Sequence, residues 1–126
     1  MIYNGATSLW ETRTGAADMN GSGSLCHGWS ANSLTFCGRY LLGVKPLAPG
    51  FAEFRVKIYP AHLDRASGSI PTPHGMIEVS WRRHRDSSLS VEVSCPENCK
   101  MQIAEYPEYP VREWSLKQNP ERINYE

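Results

Sequence analysis

Between Phe51 and Tyr106 the hydropathy of the chain alternates with a period of two in four separate runs, and no helical pattern lies between them. In Phe51 to Tyr59, Phe54, Val56 and Ile58 share one face, Glu53, Arg55 and Lys57 the other, and Pro60 ends the run. Met76 to Trp81 repeats the pattern with Ile77, Val79 and Trp81, and Ser88 to Ser94 does so with Leu89, Val91 and Val93. Lys100 to Tyr106 alternates again after the turn-like Cys95 to Cys99 segment. Alternation of this kind marks half-buried strands, and the polar Arg82 to Ser87 connection fits a hairpin loop. Parallel strands need long crossovers, commonly helical, so this spacing predicts antiparallel pairing and a mainly β fold, a small antiparallel β-sandwich.

The two ends are of other material. Residues 1 to 24 are rich in Gly, Ser, Thr, Ala and Asn, which is loop chemistry. A helix is predicted over about 30–42: Ser30, Asn32 or Ser33 supplies a cap, and Leu34, Cys37 and Leu41 fall on one face at i, i+3, i+7. Gly43 and Pro46 stop it. The tail, 107–126, is polar with Pro110 and Pro120, and its Val111, Trp114, Leu116 and Ile123 are too scattered to seed a core, so it reads as an ordered strap or a frayed terminus. The chain thus divides into 1–45, 46–106 and 107–126. A loop and one helix leave an apolar face with little to bury it, and the front end has the look of a piece of something larger. Self-association is expected to cover the face of Leu34, Cys37 and Leu41.

Composition narrows the partners. The 126 residues carry 13 Lys and Arg against 13 Asp and Glu, a formal charge of zero that gathers neither nucleic acid nor anionic lipid. No apolar run is long enough to span a bilayer, and MIYNGATSLW has no secretory pattern; localisation stays open. Four cysteines, Cys26, Cys37, Cys95 and Cys99, lack the paired spacing of a zinc site, and no metal or other cofactor is expected.

The chemistry-bearing residues cluster in the front loop. Trp10 stands beside Glu11 in Gly5-Ala6-Thr7-Ser8-Leu9-Trp10-Glu11, and His27 and Trp29 follow in Ser24-Leu25-Cys26-His27-Gly28-Trp29-Ser30-Ala31. Rings beside carboxylates grip sugars: the ring covers an apolar C–H face while the carboxylate accepts hydroxyl protons or activates water. The first of these segments is similar to the Gly-Ala-Thr-Thr-x-Trp-Glu signature near the C-terminus of bacterial α-L-rhamnosidases of glycoside hydrolase family 78. The second resembles the His-containing helix start that follows it. Gly43-Val44-Lys45-Pro46 through Pro49-Gly50-Phe51, the strand ending at Pro60, and Ala66 to Trp81 resemble the junction and body of that family's C-terminal β-sandwich. Four motifs in the right order, over roughly residues 5 to 106, carry the resemblance. Ser8 stands where Thr is usual, and Cys26 where Asn is common.

The resemblance implies hydrolysis of terminal α-L-rhamnosides with inversion. Residues 1–45 would be the end of an (α/α)6 catalytic barrel, whose remainder is then a partner, and the sandwich an accessory domain. Glu11 would be the general base; Trp10 would line the rhamnose pocket; His27 would bond the sugar or hold Glu11. Inversion needs a general acid about 6.5–9.5 Å from the base, and the family's acid lies upstream of these motifs. The fragment alone is then expected to be inactive. A different reading is a non-catalytic carbohydrate-binding or structural sandwich with Trp114, Tyr106 and Tyr109 as its sugar platform. Simplest for Trp29, Trp81 and Phe54 is a core position, for His74 a turn, for His62 and His84 the surface, and for Arg82-Arg83-His84-Arg85 a solvated hairpin tip.

Overall fold

The structure is a computed structural model and describes residues 2–119; Pro120 and Ile123 of the tail lie outside the described residues. Two compact units divide between Phe36 and Cys37. In the first, four 3-10 turns, Ile2–Asn4, Gly15–Ala17, Met19–Gly21 and Gly28–Ala31, lead into α1, Asn32–Phe36. Its buried residues are glycines, Gly15 and Gly23, as loop composition without large apolar side chains dictates.

The second unit begins with a π-helical turn, Cys37–Leu41, followed by seven strands. They are β1 Val44–Pro46, β2 Glu53–Val56, β3 Arg65–Thr72, β4 Gly75–Arg83, β5 Leu89–Pro96, β6 Lys100–Ile103 and β7 Val111–Asn119. Helical geometry thus covers the predicted segment, in three successive forms rather than as one α-helix. The wide turn ends with the Leu42 N–H donating to the Cys37 carbonyl (2.9 Å). It also leaves the Leu41 carbonyl to accept from the indole Nε1 of Trp81 at 2.6 Å. Gly43 ends the turn at φ +72°, and a Cβ there would stand 2.5 Å from the Lys57 carbonyl group, so only glycine fits.

β1, β2 and β6 form one sheet in that order, and β3, β4, β5 and β7 the other. Phe54 and Val56 from the first, with Ile58 just past β2, unite with Ile77, Val79, Trp81, Leu89, Val91 and Val93 from the second in one buried cluster, with Phe54, Ile77, Leu89 and Val93 wholly inaccessible. The period-two residues are therefore the core faces of a mainly β, two-sheet sandwich. The expectation of purely antiparallel pairing is corrected: β1–β2, β3–β4 and β4–β5 are antiparallel, whereas β2–β6 and β5–β7 are parallel. Each parallel strand is reached by leaving one sheet and re-entering the other through the connections on either side of β6. β7, Val111 to Asn119, lies within the segment read as an ordered strap or a frayed terminus, and it completes the larger sheet beside β5. Cys95 and Cys99 flank the β5–β6 turn as buried free thiols, both pushed up from the ordinary thiol range by burial.

Candidate functional site

The three residues singled out in the front loop are brought together. The segments Leu9–Glu11 and Ser24–His27 run side by side because the Glu11 N–H donates to the Ser24 carbonyl (2.9 Å) and the His27 N–H to the Leu9 carbonyl (2.7 Å). The Ser8 hydroxyl donates to the Leu25 carbonyl, and the Ser30 hydroxyl to that of Trp10 (2.5 Å). Small residues at the interior make this pinning possible. Gly15, at φ +66°, lies under the six-membered edge of Trp10, where a Cβ would come within 2.5 Å of the ring.

This frame fixes the Glu11 carboxylate. Its Oε2 accepts from the Ser24 N–H at 3.1 Å and lies 3.7 Å from Nδ1 of His27, with each side chain 23% exposed. The imidazole is at ion-pair range from the carboxylate but beyond ordinary hydrogen-bond length. Trp29 meets His27 edge to face, ring centroids 5.0 Å apart at 88°. It is 78% exposed, which corrects the core placement expected for it; Trp81 and Phe54 are core, at 3% and 0%. In the same loop segment, hydroxyl hydrogen bonds from Thr12 and then Thr14 hold the Asp18 carboxyl below its ordinary range. An anchored, half-open carboxylate with an imidazole facing it is equipped to orient a polar, hydroxylated molecule and take up a proton from it.

Elsewhere the predicted residues are dispersed. Tyr106 and Tyr109 both meet Tyr59 edge to face, at 5.7 and 5.8 Å, and Nζ of Lys57 sits over the Tyr106 ring at 3.9 Å. The Trp114 indole donates to Glu105 (3.2 Å). Of the histidines, His74 and His62 occupy turns, and His84 is half-buried, its Nε2 2.8 Å from the Ser90 hydroxyl. At the hairpin tip Arg83 pairs with Asp64 and Asp86 with Arg112. Among the described residues no group of three His, Cys, Asp or Glu side chains converges to hold a metal ion, and no helix is long and apolar enough to cross a membrane. Sequence reasoning missed Ser24 and Ser30, whose contributions are a backbone amide and a hydroxyl that no side-chain pattern announces.

By class, the chain is a mainly β, two-sheet sandwich preceded in sequence by a loop segment that carries carboxylate, imidazole and indole groups. Residues 43–108 match the family model of the bacterial alpha-L-rhamnosidase C-terminal domain, and the chain belongs to that family. It is 34% identical over 116 residues to an alpha-L-rhamnosidase of Alteromonas sp. (strain LOR), covering 87% of this chain and 12% of that protein. It also resembles the crystal structure of a GH78 family rhamnosidase of Bacillus sp. GL1, with a TM-score of 0.67 and 30% identity over 79% of this chain and 10% of that one. The structure of an alpha-L-rhamnosidase from Dictyoglumus thermophilum superposes with a TM-score of 0.68 and 27% identity over 82% of this chain and 12% of that one. The chain therefore spans about a tenth of the length of these relatives.

Proposed function

We propose that this chain is the C-terminal part of an inverting α-L-rhamnosidase acting on terminal α-L-rhamnosides, with Glu11 as its general base. The observation that carries the reading is the anchored carboxylate: Oε2 held by the Ser24 amide and faced by His27 3.7 Å away, in a segment that also carries Trp10. A base must keep one geometry while it draws a proton from water, and the amide and the imidazole provide it. Trp10 lines the rhamnose pocket and His27 holds Glu11 or bonds the sugar. Residues 1 to about 45 end the catalytic barrel, and 46–106 brace it. The general acid comes from the remainder of the barrel, so the 126-residue chain alone lacks the second carboxyl that inversion requires.

The test is hydrolysis of an aryl α-L-rhamnoside by the full-length protein carrying this chain, with the product anomer read by NMR. Glu11→Gln is isosteric and removes the base, so kcat should fall by about 10²–10⁴ while rhamnose binding is kept. The β-anomer should appear first. Unchanged turnover in Glu11→Gln, or retention of configuration, refutes the assignment. So does rhamnoside hydrolysis by the isolated chain that is indifferent to the same substitution.

A further inference from the structure

The outward face of the β3-β4-β5-β7 sheet is a second polar surface, far along the chain from Glu11 and absent from the reading above. Its residues are set by the register. One row across the strands runs Arg65, Arg82, Ser90, Glu113, and the next runs Ser67, Ser80, Glu92, Ser115. Serines at half of these eight positions leave room between the longer side chains, and the result is an open trough of about 690 Å³.

Charge is distributed unevenly over it. Glu92 is engaged by Nζ of Lys117 at 2.5 Å. Arg65 and Arg82 are direct cross-strand partners on the same face, and among the described residues neither has a carboxylate within ion-pair distance. Like charges set opposite one another weaken a sheet. Two unpaired guanidiniums here are a fork for a planar anion, since each offers parallel N–H donors matched to a carboxylate. The rest of the trough limits the ligand. Glu113 ends the Arg row and Glu78 stands opposite Ser69, so a polyanion such as nucleic acid meets repulsion on the same face. Serine hydroxyls next to the arginines both donate and accept, as a neutral polyhydroxylated unit requires. Strands lie about 4.8 Å apart, close to the length of one pyranose ring, so a sugar chain laid across them meets one strand per residue.

We propose that this trough binds an acidic oligosaccharide, with a uronate carboxylate on Arg65 and Arg82 and its neighbouring sugar units over Ser67, Ser80 and Ser90. This site is independent of catalysis at Glu11. It is tested by titrating the 126-residue chain with aldotriouronic acid, a xylobiose bearing a single glucuronate, and following backbone amide shifts by NMR, with maltotriose as the neutral probe and inorganic phosphate as a simple anion. The singly acidic trisaccharide should shift amides of β3, β4 and β5, and the paired substitution Arg65→Gln with Arg82→Gln should weaken its binding at least tenfold. Glu11→Gln should leave it unchanged. Ser80→Val keeps both arginines and a strand-compatible side chain, and should weaken binding by a smaller factor. Equal shifts from maltotriose, equal affinity for phosphate, no shifts on this face, or undiminished binding by the double variant with its spectrum otherwise intact would each overturn the proposal.

Discussion

At the scale of single residues, the positions that fix this molecule are those where a side chain must be missing. Gly43 is held at φ +72° against the Lys57 carbonyl group. Gly43→Ala adds backbone strain and a steric clash, and should lower stability by about 2 kcal/mol or more in a thermal or denaturant melt. The glycine was legible as a helix stop, whereas the pressure from Lys57 was not, because it comes from the chain just past β2, fourteen positions on, in a register that no local pattern fixes. The thiols divide in the same way. Cys26 and Cys37 are exposed and Cys95 and Cys99 buried, so a thiol reagent such as Ellman's should titrate two groups quickly and two only on unfolding. Burial raises the Cys95 and Cys99 pKa, so folding favours the neutral thiol. The unfolded chain, with thiols near 9.0, ionises first as pH rises. Stability present below pH 9.0 should therefore be lost progressively above it, and Cys95→Ala with Cys99→Ala should flatten that alkaline decline in a series of urea midpoints against pH. Trp10, Glu11 and His27 were legible as a set because their motifs carry the resemblance. The exposure of Trp29 was not, since an aromatic residue beside a helix start reads as core.

At the scale of elements, period two located β2, β4, β5 and β6, and the hairpin loop between β4 and β5 fell where polar residues replace the alternation. β3 escaped because Arg-Ala-Ser-Gly-Ser-Ile-Pro-Thr has small residues where the other strands have large apolar ones; Gly68 is kept small by Leu42, whose Cδ1 would meet a Cβ there at 2.9 Å. β7 escaped because its inward residues Trp114 and Leu116 lie at a sheet edge and remain partly or largely exposed, diluting the signal. Parallel partners are equally invisible, as pairing direction depends on the path between strands rather than on the strands. The Trp81 indole, which ties β4 to the π turn through the Leu41 carbonyl, should be worth about 1–2 kcal/mol in Trp81→Phe, because the half-buried carbonyl loses its donor. A chain stopped after Pro110 loses β7 and exposes the whole β5 edge. It should melt well below the intact chain and form light-scattering aggregates on standing, since an unpaired edge templates association.

For the molecule as a whole, stability is concentrated in the strands. Residues up to Phe36 bury little beyond two glycines, while Cys37 onward contains the full apolar cluster. Hydrogen exchange should separate them: amides of β4 and β5 should exchange slowest and those of the first unit many times faster. Uniform protection along the chain would contradict this division. Leu34, Phe36 and Trp29 are 75%, 59% and 78% exposed, and size-exclusion chromatography with light scattering should show concentration-dependent oligomers of the isolated chain. The parallel β5–β7 pair finally bears on how the protein is made. Leu89 and Val111 are partners, yet 22 positions separate them, which at ribosomal speed is about 1–4 s of synthesis. Throughout that interval β5 lacks its outer neighbour, so the larger sheet is born with one raw flank that only the arrival of β7 closes.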